Sequence, residues 1–352
     1  MPTLVPALSV PSAGAPFERI ELTRRDLRPD DVRIAIRYAG ICHSDIHQVR
    51  QEWGRTTYPI TPGHEIVGEV VEVGSEVTRH AVGDRVGVGC FVDACLECAA
   101  CKDGEEQFCE RGVVGTYAAT GYDGERTQGG YSGQIVVRDH FVVRIPDAFS
   151  DDQLAAVTPL LCAGITTYSP LKRFNVGPGT RVGVIGLGGL GHVGVKIAAA
   201  MGARVTVFSR TDSKAADGLA MGATDHVATA EKGALRAKAN SYDLLLNTVG
   251  DGIDLNGHLA TLDRGGVMIN VGAPSDQLSF GAFSLIGFRR QMVGSLVGGL
   301  PETQEMLDFC AEHGITATVE VIGADDVDAY YDKIVAGDVR YRAVIDTATF
   351  SG

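Results

Sequence analysis

The sequence predicts an α/β fold: a β-rich N-terminal part, a doubly wound parallel sheet after it, and a mixed C-terminal part. Three observations predict it. Up to about residue 150, apolar and polar residues alternate in short runs punctuated by Gly, Pro and Asp. From 155 to 295, short apolar runs alternate with helical stretches, the rhythm of parallel strands joined by crossover helices. Between two of those elements stands Gly186-Leu187-Gly188-Gly189-Leu190-Gly191.

Taken in order, Val32–Ile36, Glu65–Val73 and Gln134–Val143 have the two-residue period of strands. The runs Val182–Ile185, Val205–Phe208, Leu244–Leu246 and Val267–Val271 are short and apolar, as in strands buried on both faces. Leu190–Met201, Lys214–Met221 and Leu255–Leu262 carry helical spacing between them. Near the C-terminus, Glu302–His313 and Asp325–Ile334 are expected helices and Tyr341–Ile345 a strand. There is no internal repeat.

The 352 residues suit two domains, and 45% hydrophobic with 21% charged residues suits a soluble globular chain. A net charge of -13 argues against nucleic acid or an anionic membrane as partner. No apolar run is long enough to span a bilayer and no secretory signal is visible, so the expected location is cytoplasmic, with reduced thiols. Of 8 cysteines, five fall between residues 90 and 109, which in a reducing compartment points to metal before disulfides.

Gly186, Gly188 and Gly191 have G-x-G-x-x-G spacing, with Gly189 in the same turn, a strand before it and a helix after. The first glycine permits a tight turn, the second lets backbone approach a pyrophosphate, and the third lets helix pack on strand. The pyrophosphate then meets the unpaired N–H groups of the helix N-terminus. A bare structural turn is the alternative. An NAD site ends the following strand with an acid on the ribose 2′-OH. Here the strand ends in Ser209-Arg210-Thr211, with Lys214 beyond and Asp212 past the tip. A hydroxyl, a guanidinium and an ammonium suit a 2′-phosphate, which favours NADP(H). Otherwise the segment is a capped, solvated helix start.

Cys95, Cys98, Cys101 and Cys109 follow C-x2-C-x2-C-x7-C. Four thiolates on a short loop can close a tetrahedral structural zinc site, and a loop with few large apolar residues depends on metal for its shape. An iron–sulfur cluster is the rival, but the fourth spacing is longer than in the bacterial ferredoxin run and Glu110, not Pro, follows. Cys42, His64-Glu65 and Cys162 stand apart in sequence, and each alone reads as an ordinary buried side chain.

As a set, Gly40-Ile41-Cys42-His43-Ser44-Asp45, Gly63-His64-Glu65, the four-cysteine loop, Cys162-Ala163-Gly164-Ile165-Thr166 and the glycine turn resemble the zinc-dependent medium-chain alcohol dehydrogenases. Within them the chain is most similar to the cinnamyl alcohol dehydrogenase branch and its bacterial NADP-dependent aldehyde reductase relatives. Thr127-Gln128-Gly129-Gly130-Tyr131, Ala200-Met201-Gly202 and Asp338-Val339-Arg340-Tyr341-Arg342 extend the resemblance nearly end to end.

The resemblance implies a chaperonin-10-like, β-rich catalytic domain from residues 1–154 and 296–352. A Rossmann domain, 155–295, is inserted, and the active site lies in the cleft. It implies two zinc ions per chain: one on the four-cysteine loop and a catalytic one on Cys42, His64 and Cys162, with Glu65 able to take the fourth position. Asp45 would orient His64, and Ser44 and His47 would relay a proton to solvent. Thr166 would contact the nicotinamide, and His43 and Arg342 the cofactor phosphates or ribose; an edge-strand surface charge is the plain alternative for Arg342, and a helix cap for Ser44. The implied reaction transfers hydride between NADP(H) and a primary alcohol/aldehyde pair (aromatic, cinnamyl or medium aliphatic), chiefly as an aldehyde reductase. A homodimer through the Rossmann edge near Met292–Leu296 is implied as well. One departure is Val113-Val114-Gly115-Thr116-Tyr117, where plant lignin-forming members have a bulky aromatic near Gly115; their substrate is therefore not carried over. The competing readings are a zinc-free quinone or enone reductase, which lacks the catalytic ligands, a zinc-ribbon nucleic-acid binder or nucleotide-sensing regulator, which the acidic charge disfavours, and an inactivated structural scaffold, against which the intact ligand set speaks.

Overall fold

A computed structural model describes residues 3–250, 252–274 and 277–351. Two compact units are present: Met1–Cys162 with Gly298–Gly352, and Ala163–Val297. The first break therefore falls later than the rhythm change at 155. The reason is packing: Leu161 lies against the strand Arg85–Val88, and a Cβ on Gly87 would meet its side chain at 2.8 Å.

The first unit is built on a seven-stranded sheet. Its order is Val319–Ile322, Arg342–Asp346, Asp31–Ile41, Ile66–Val73, Arg85–Val88, Val143–Arg144, with Gln134–Arg138 also paired to Asp31–Ile41. The apolar alternation pins the register, because a one-residue slip would turn every buried side chain to solvent. Ile34, Ile66, Val70 and Val86 are fully buried, each contributing about 1.5–3 kcal/mol. A second cluster, with Ile41, Ile46, Tyr131, Tyr331 and Phe350, gathers both chain ends around the helix His43–Val49.

The expected run Gln134–Val143 is interrupted. A 3-10 turn, Asp139–Phe141, breaks it into Gln134–Arg138 and Val143–Arg144. The turn buries Phe141 completely and lets His140 reach the Glu106 carboxylate at 2.7 Å. Two helical segments that periodicity does not single out, Leu154–Val157 and Ala163–Arg173, flank Cys162.

The second unit holds a six-stranded sheet, all parallel. Its order is Asp225–Ala228, Arg204–Ser209, Arg181–Ile185, Tyr242–Asn247, Leu262–Asn270, Gln291–Gly294. The outer strand Asp225–Ala228 is too short and mixed for the sequence pattern to reveal, while the other, Gln291–Gly294, overlaps the sheet edge expected near Met292–Leu296. Among the described residues no single helix is long and apolar enough to cross a membrane.

Candidate active site and metal centres

Three neighbouring strands bring the scattered residues together. Asp31–Ile41 ends one residue before Cys42, and its antiparallel partner Ile66–Val73 begins just after His64-Glu65. The pairing of Ala39 with Ile66 and the Gly40 N–H bond to the Glu65 carbonyl (2.9 Å) set those ends side by side. On the other flank Ala343 pairs with Ile41, which puts Arg342 at the same end. Gly40 is required here, since a Cβ would overlap the Glu65 carboxylate. Cys162 arrives from the 3-10 turn Thr158–Leu161, whose Leu161 carbonyl would meet a Cβ on Gly89 at 2.9 Å.

The result is a buried cluster in which one donor atom each from Cys42, His64, Glu65 and Cys162 lies within 4.8 Å of the others. The Cys42 and Cys162 sulfurs are 3.9 Å apart, and His64 Nε2 is 3.3 Å from Cys162 Sγ. A hydrogen bond from the Cys162 thiol, aided by the Arg342 charge, holds the Cys42 thiol well below its ordinary range, while Cys162 as donor is held above it. Glu65 is pushed up to about 7 by burial, against the pull of Arg342. Arg342 pairs with Glu65 Oε1; Oε2 is buried with no hydrogen-bond partner among the described residues. Two sulfurs, an imidazole nitrogen and an orphaned carboxylate oxygen form a donor set that fits zinc.

The second cluster is local. Cys95, Cys98, Cys101 and Cys109 bring their sulfurs within 4.8 Å of one another, with Cys95 and Cys101 at 3.9 Å. Four sulfurs bound tetrahedrally to one ion at ~2.3 Å stand about 3.8 Å apart. An iron–sulfur cluster spreads its thiolates around several metal atoms, so the spacing favours a single ion. Disulfides would need sulfurs at ~2.05 Å; all eight cysteines are free. Burial pushes the Cys109 thiol up, but N–H groups of Cys95 and Arg111 outweigh it and bring it to about 6.

The glycine turn joins Arg181–Ile185 to the helix Gly191–Ala200. Gly186 has φ +92°, and a Cβ on Gly191 would overlap the Gly186 carbonyl oxygen. At Gly188 a Cβ would meet nothing within 4 Å, so that backbone is open to a ligand, and Gly189 continues the same turn. Phe208 accepts a 2.8 Å bond from Gly186 N–H, which places the tip of the next strand, Ser209, beside the turn. Lys214 Nζ donates to the Leu187 carbonyl at 3.1 Å, and Arg210 is exposed. The lysine thus places its positive charge on the turn itself. Thr211 occupies the cap position of the 3-10 turn Asp212–Lys214 without a side-chain capping bond.

The alcohol dehydrogenase GroES-like domain family matches residues 28–147, and the zinc-binding dehydrogenase family matches residues 189–312. The chain is 55% identical to a probable formaldehyde dehydrogenase, AdhA, of Bacillus subtilis, over 97% of both chains. It is 54% identical to NADP-dependent alcohol dehydrogenase C 1 of Mycolicibacterium smegmatis, over 98% of both. The chain belongs to the zinc-binding alcohol dehydrogenase family. Its fold matches the solved cinnamyl alcohol dehydrogenase of Helicobacter pylori complexed with NADP(H), with TM-score 0.92, 40% identity and 99% of both chains covered.

For an alcohol dehydrogenase, the groups around the ligand cluster matter as much as the ligands. Asp45 is fully buried and accepts from Cys42 N–H (2.8 Å), Gly63 N–H (3.2 Å) and His64 Nδ1 (3.1 Å), so His64 presents Nε2 to the sulfurs. The Tyr117 ring stacks on His64 at 5.8 Å. Burial, with the Asp45 charge, pushes the Tyr117 hydroxyl well above its usual range, so it stays protonated. Ser44 is not the helix cap: the cap position is Cys42, and the Ser44 oxygen lies 3.6 Å from Cys42 Sγ. His47 bonds through Nδ1 to Glu52 and stacks on Trp53 at 4.9 Å. His43 lies on the same helix, its ring 5.0 Å from His47. Arg342 is buried, which removes the reading as an edge-strand surface charge. Thr166 is buried on Ala163–Arg173, four residues after Cys162. Sequence reasoning missed Glu52, Tyr117 and the fifth thiol, Cys90, whose pKa the nearby Cys162 lowers. Only the cysteine count hinted at Cys90; nothing in the local pattern marks the other two.

Proposed function

We propose that this dehydrogenase interconverts aldehydes and primary alcohols with NADP(H), acting chiefly as an aldehyde reductase, at Cys42, His64 and Cys162 with Glu65 in reserve. The observation that carries this reading is the buried two-sulfur, one-imidazole cluster with an orphaned carboxylate oxygen beside it. Zinc held there supplies Lewis-acid polarisation of a carbonyl, and NADPH supplies the hydride.

The chain's own residues do the rest. Asp45 and Tyr117 fix the His64 ring. Arg342 holds one Glu65 oxygen and leaves the other directed at the cluster. Reduction consumes one proton from solvent. The Ser44 hydroxyl, close to Cys42, is suited to hand it inward, and His47 to fetch it. Glu52 accepts from His47 Nδ1–H and so leaves Nε2 as the nitrogen that takes and gives the proton. The same groups run in reverse for oxidation. His43, Thr166 and the glycine turn are assigned to the cofactor, and Ser209, Arg210 and Lys214 to its 2′-phosphate; the names of the relatives, which include NADP, support that assignment. Cys95, Cys98, Cys101 and Cys109 are assigned a second, structural zinc.

A homodimer and a reducing, cytoplasmic setting complete the reading. Gln291–Gly294 ends the strand order, and near it Phe283 and Ile286 are 82% and 66% exposed, with Leu296 at 56%. A second copy would cover them. Both clusters need thiolates, which a reducing compartment preserves. Initial rates with aliphatic, aromatic and cinnamyl aldehydes, each with NADPH and NADH, test the reading. NADPH-dependent reduction of at least one class is expected; no turnover with any of them would refute it.

A further inference from the structure

His226 lies on the outer strand Asp225–Ala228, opposite Val207 of the strand that ends in Ser209. Its side chain is only 6% exposed. Nε2 is 3.1 Å from the Thr211 carbonyl oxygen and 3.6 Å from an Asp212 carboxylate oxygen. A carbonyl can only accept, so Nε2 carries the proton. Nδ1 is buried and has no hydrogen-bond partner among the described residues. The one strong bond this imidazole makes is therefore to the backbone of the segment between Arg210 and Lys214.

That segment has few other anchors. Thr229 N–H and Ala230 N–H bond to the Ser209 and Arg210 carbonyls at 2.7 and 3.1 Å, which fixes its beginning. Lys214 Nζ on the Leu187 carbonyl fixes its end. Between them Thr211, Asp212 and Ser213 are exposed, and among the described residues Thr211 Oγ1 bonds only to Ser213 Oγ in the same turn. Asp212 also places a carboxylate two residues from Arg210, where it opposes a phosphate dianion. Donors that are already in place bind an anion more tightly than donors that must first be ordered.

We propose that His226 is a specificity-determining positioning residue for the 2′-phosphate of NADP(H). Through the Thr211 carbonyl it holds the turn so that Arg210 and Lys214 face one anion, and its Nε2–H draws the Asp212 carboxylate back toward the strand. This rests on the reading that Arg210 and Lys214 receive that phosphate.

Calorimetric titration of the purified protein with 2′,5′-ADP and with 5′-AMP tests it, since only the first carries the 2′-phosphate. His226→Leu should weaken 2′,5′-ADP on the order of 10-fold, the size of one net hydrogen bond, and leave 5′-AMP within about 2-fold. His226→Gln, whose amide nitrogen stands near the position of Nε2, should recover most of the loss. His226→Asn, whose shorter amide cannot reach Thr211, should behave like His226→Leu and gives the same measurement should the leucine variant not fold. Unchanged 2′,5′-ADP affinity in His226→Leu and His226→Asn overturns the inference alone. Equal loss for both nucleotides also overturns it, as a merely structural role. If the unmutated protein binds the two nucleotides equally, the phosphate reading itself falls, and this inference with it.

Discussion

Arg342 and Glu65 form an ion pair across the end of the strand Asp31–Ile41 that lies between their own segments, with side chains 4% and 0% exposed, although 277 residues separate them in sequence. A buried pair is weak support for stability as a whole, but breaking it from one side leaves an uncompensated charge. Arg342→Leu should therefore destabilise the protein by about 3–5 kcal/mol. Arg342→Leu combined with Glu65→Gln should cost less than the single change. Urea unfolding of the single and double variants checks this; a single-variant loss under ~1 kcal/mol would show that water reaches the pair.

Metal content separates the two clusters. The unmutated protein should carry about two zinc ions per chain. Cys98→Ser should lower the melting temperature, because the loop 95–109 depends on its ion for shape. Cys162→Ser should abolish turnover and leave melting nearly unchanged, because a strand framework holds that site without metal. Elemental analysis with calorimetry distinguishes the two. A single zinc, or iron with visible absorbance, contradicts the two-site account.

The proton path makes a kinetic prediction. Ser44→Ala should lower turnover by a factor on the order of 10²–10⁴ with zinc and NADPH affinity kept. The cap position belongs to Cys42, so the stability cost should be small. His47→Gln should cost less, because water substitutes. A stable, zinc-replete and fully active Ser44→Ala would remove the relay.

Cofactor choice tests the exposed Arg210. Arg210→Asp should weaken NADPH by roughly 1.5–3 kcal/mol and improve NADH relative to it. The measurement is kcat/KM with each cofactor. Equal efficiency of NADPH and NADH in the unmutated enzyme would overturn the assignment.

Glu106, on the four-cysteine loop, gives a pH prediction. Its carboxylate accepts from His140 Nε2 (2.7 Å) and from Leu300 N–H (3.0 Å), tying the loop before Cys109 to the helix Leu300–Glu312. Burial pushes its pKa up, but those bonds outweigh burial and hold it below the usual glutamate range. The unfolded chain takes up its proton first as pH falls. The stability from this group is thus complete above about pH 4.3, the ordinary glutamate value, and is lost as pH drops through the lower folded value. Glu106→Gln should flatten the acid limb of a plot of melting temperature against pH, and an unchanged limb would assign the acid sensitivity elsewhere.

The sequence by itself determined whatever is local. The glycine turn needs only a strand before it and a helix after it, and four cysteines within fifteen positions can meet on one ion whatever the rest of the chain does. The two-residue and helical periods likewise marked the strands and helices whose faces are unevenly wet. What only the tertiary structure decided depends on register. His64 and Cys162 are 98 residues apart and meet because antiparallel pairing aligns Ala39 with Ile66 and because Leu161 seats against glycines. Resemblance named that set, but spacing could not. Tyr117 on His64, Glu52 on His47 and His226 under the Thr211 turn left no periodic trace, since each bond is made by one side chain reaching one partner. The broken strand at Asp139–Phe141 has the same cause: alternation reports which face is buried, while the pull of Glu106 on His140 and the space that takes in Phe141 exist only once the chain has folded.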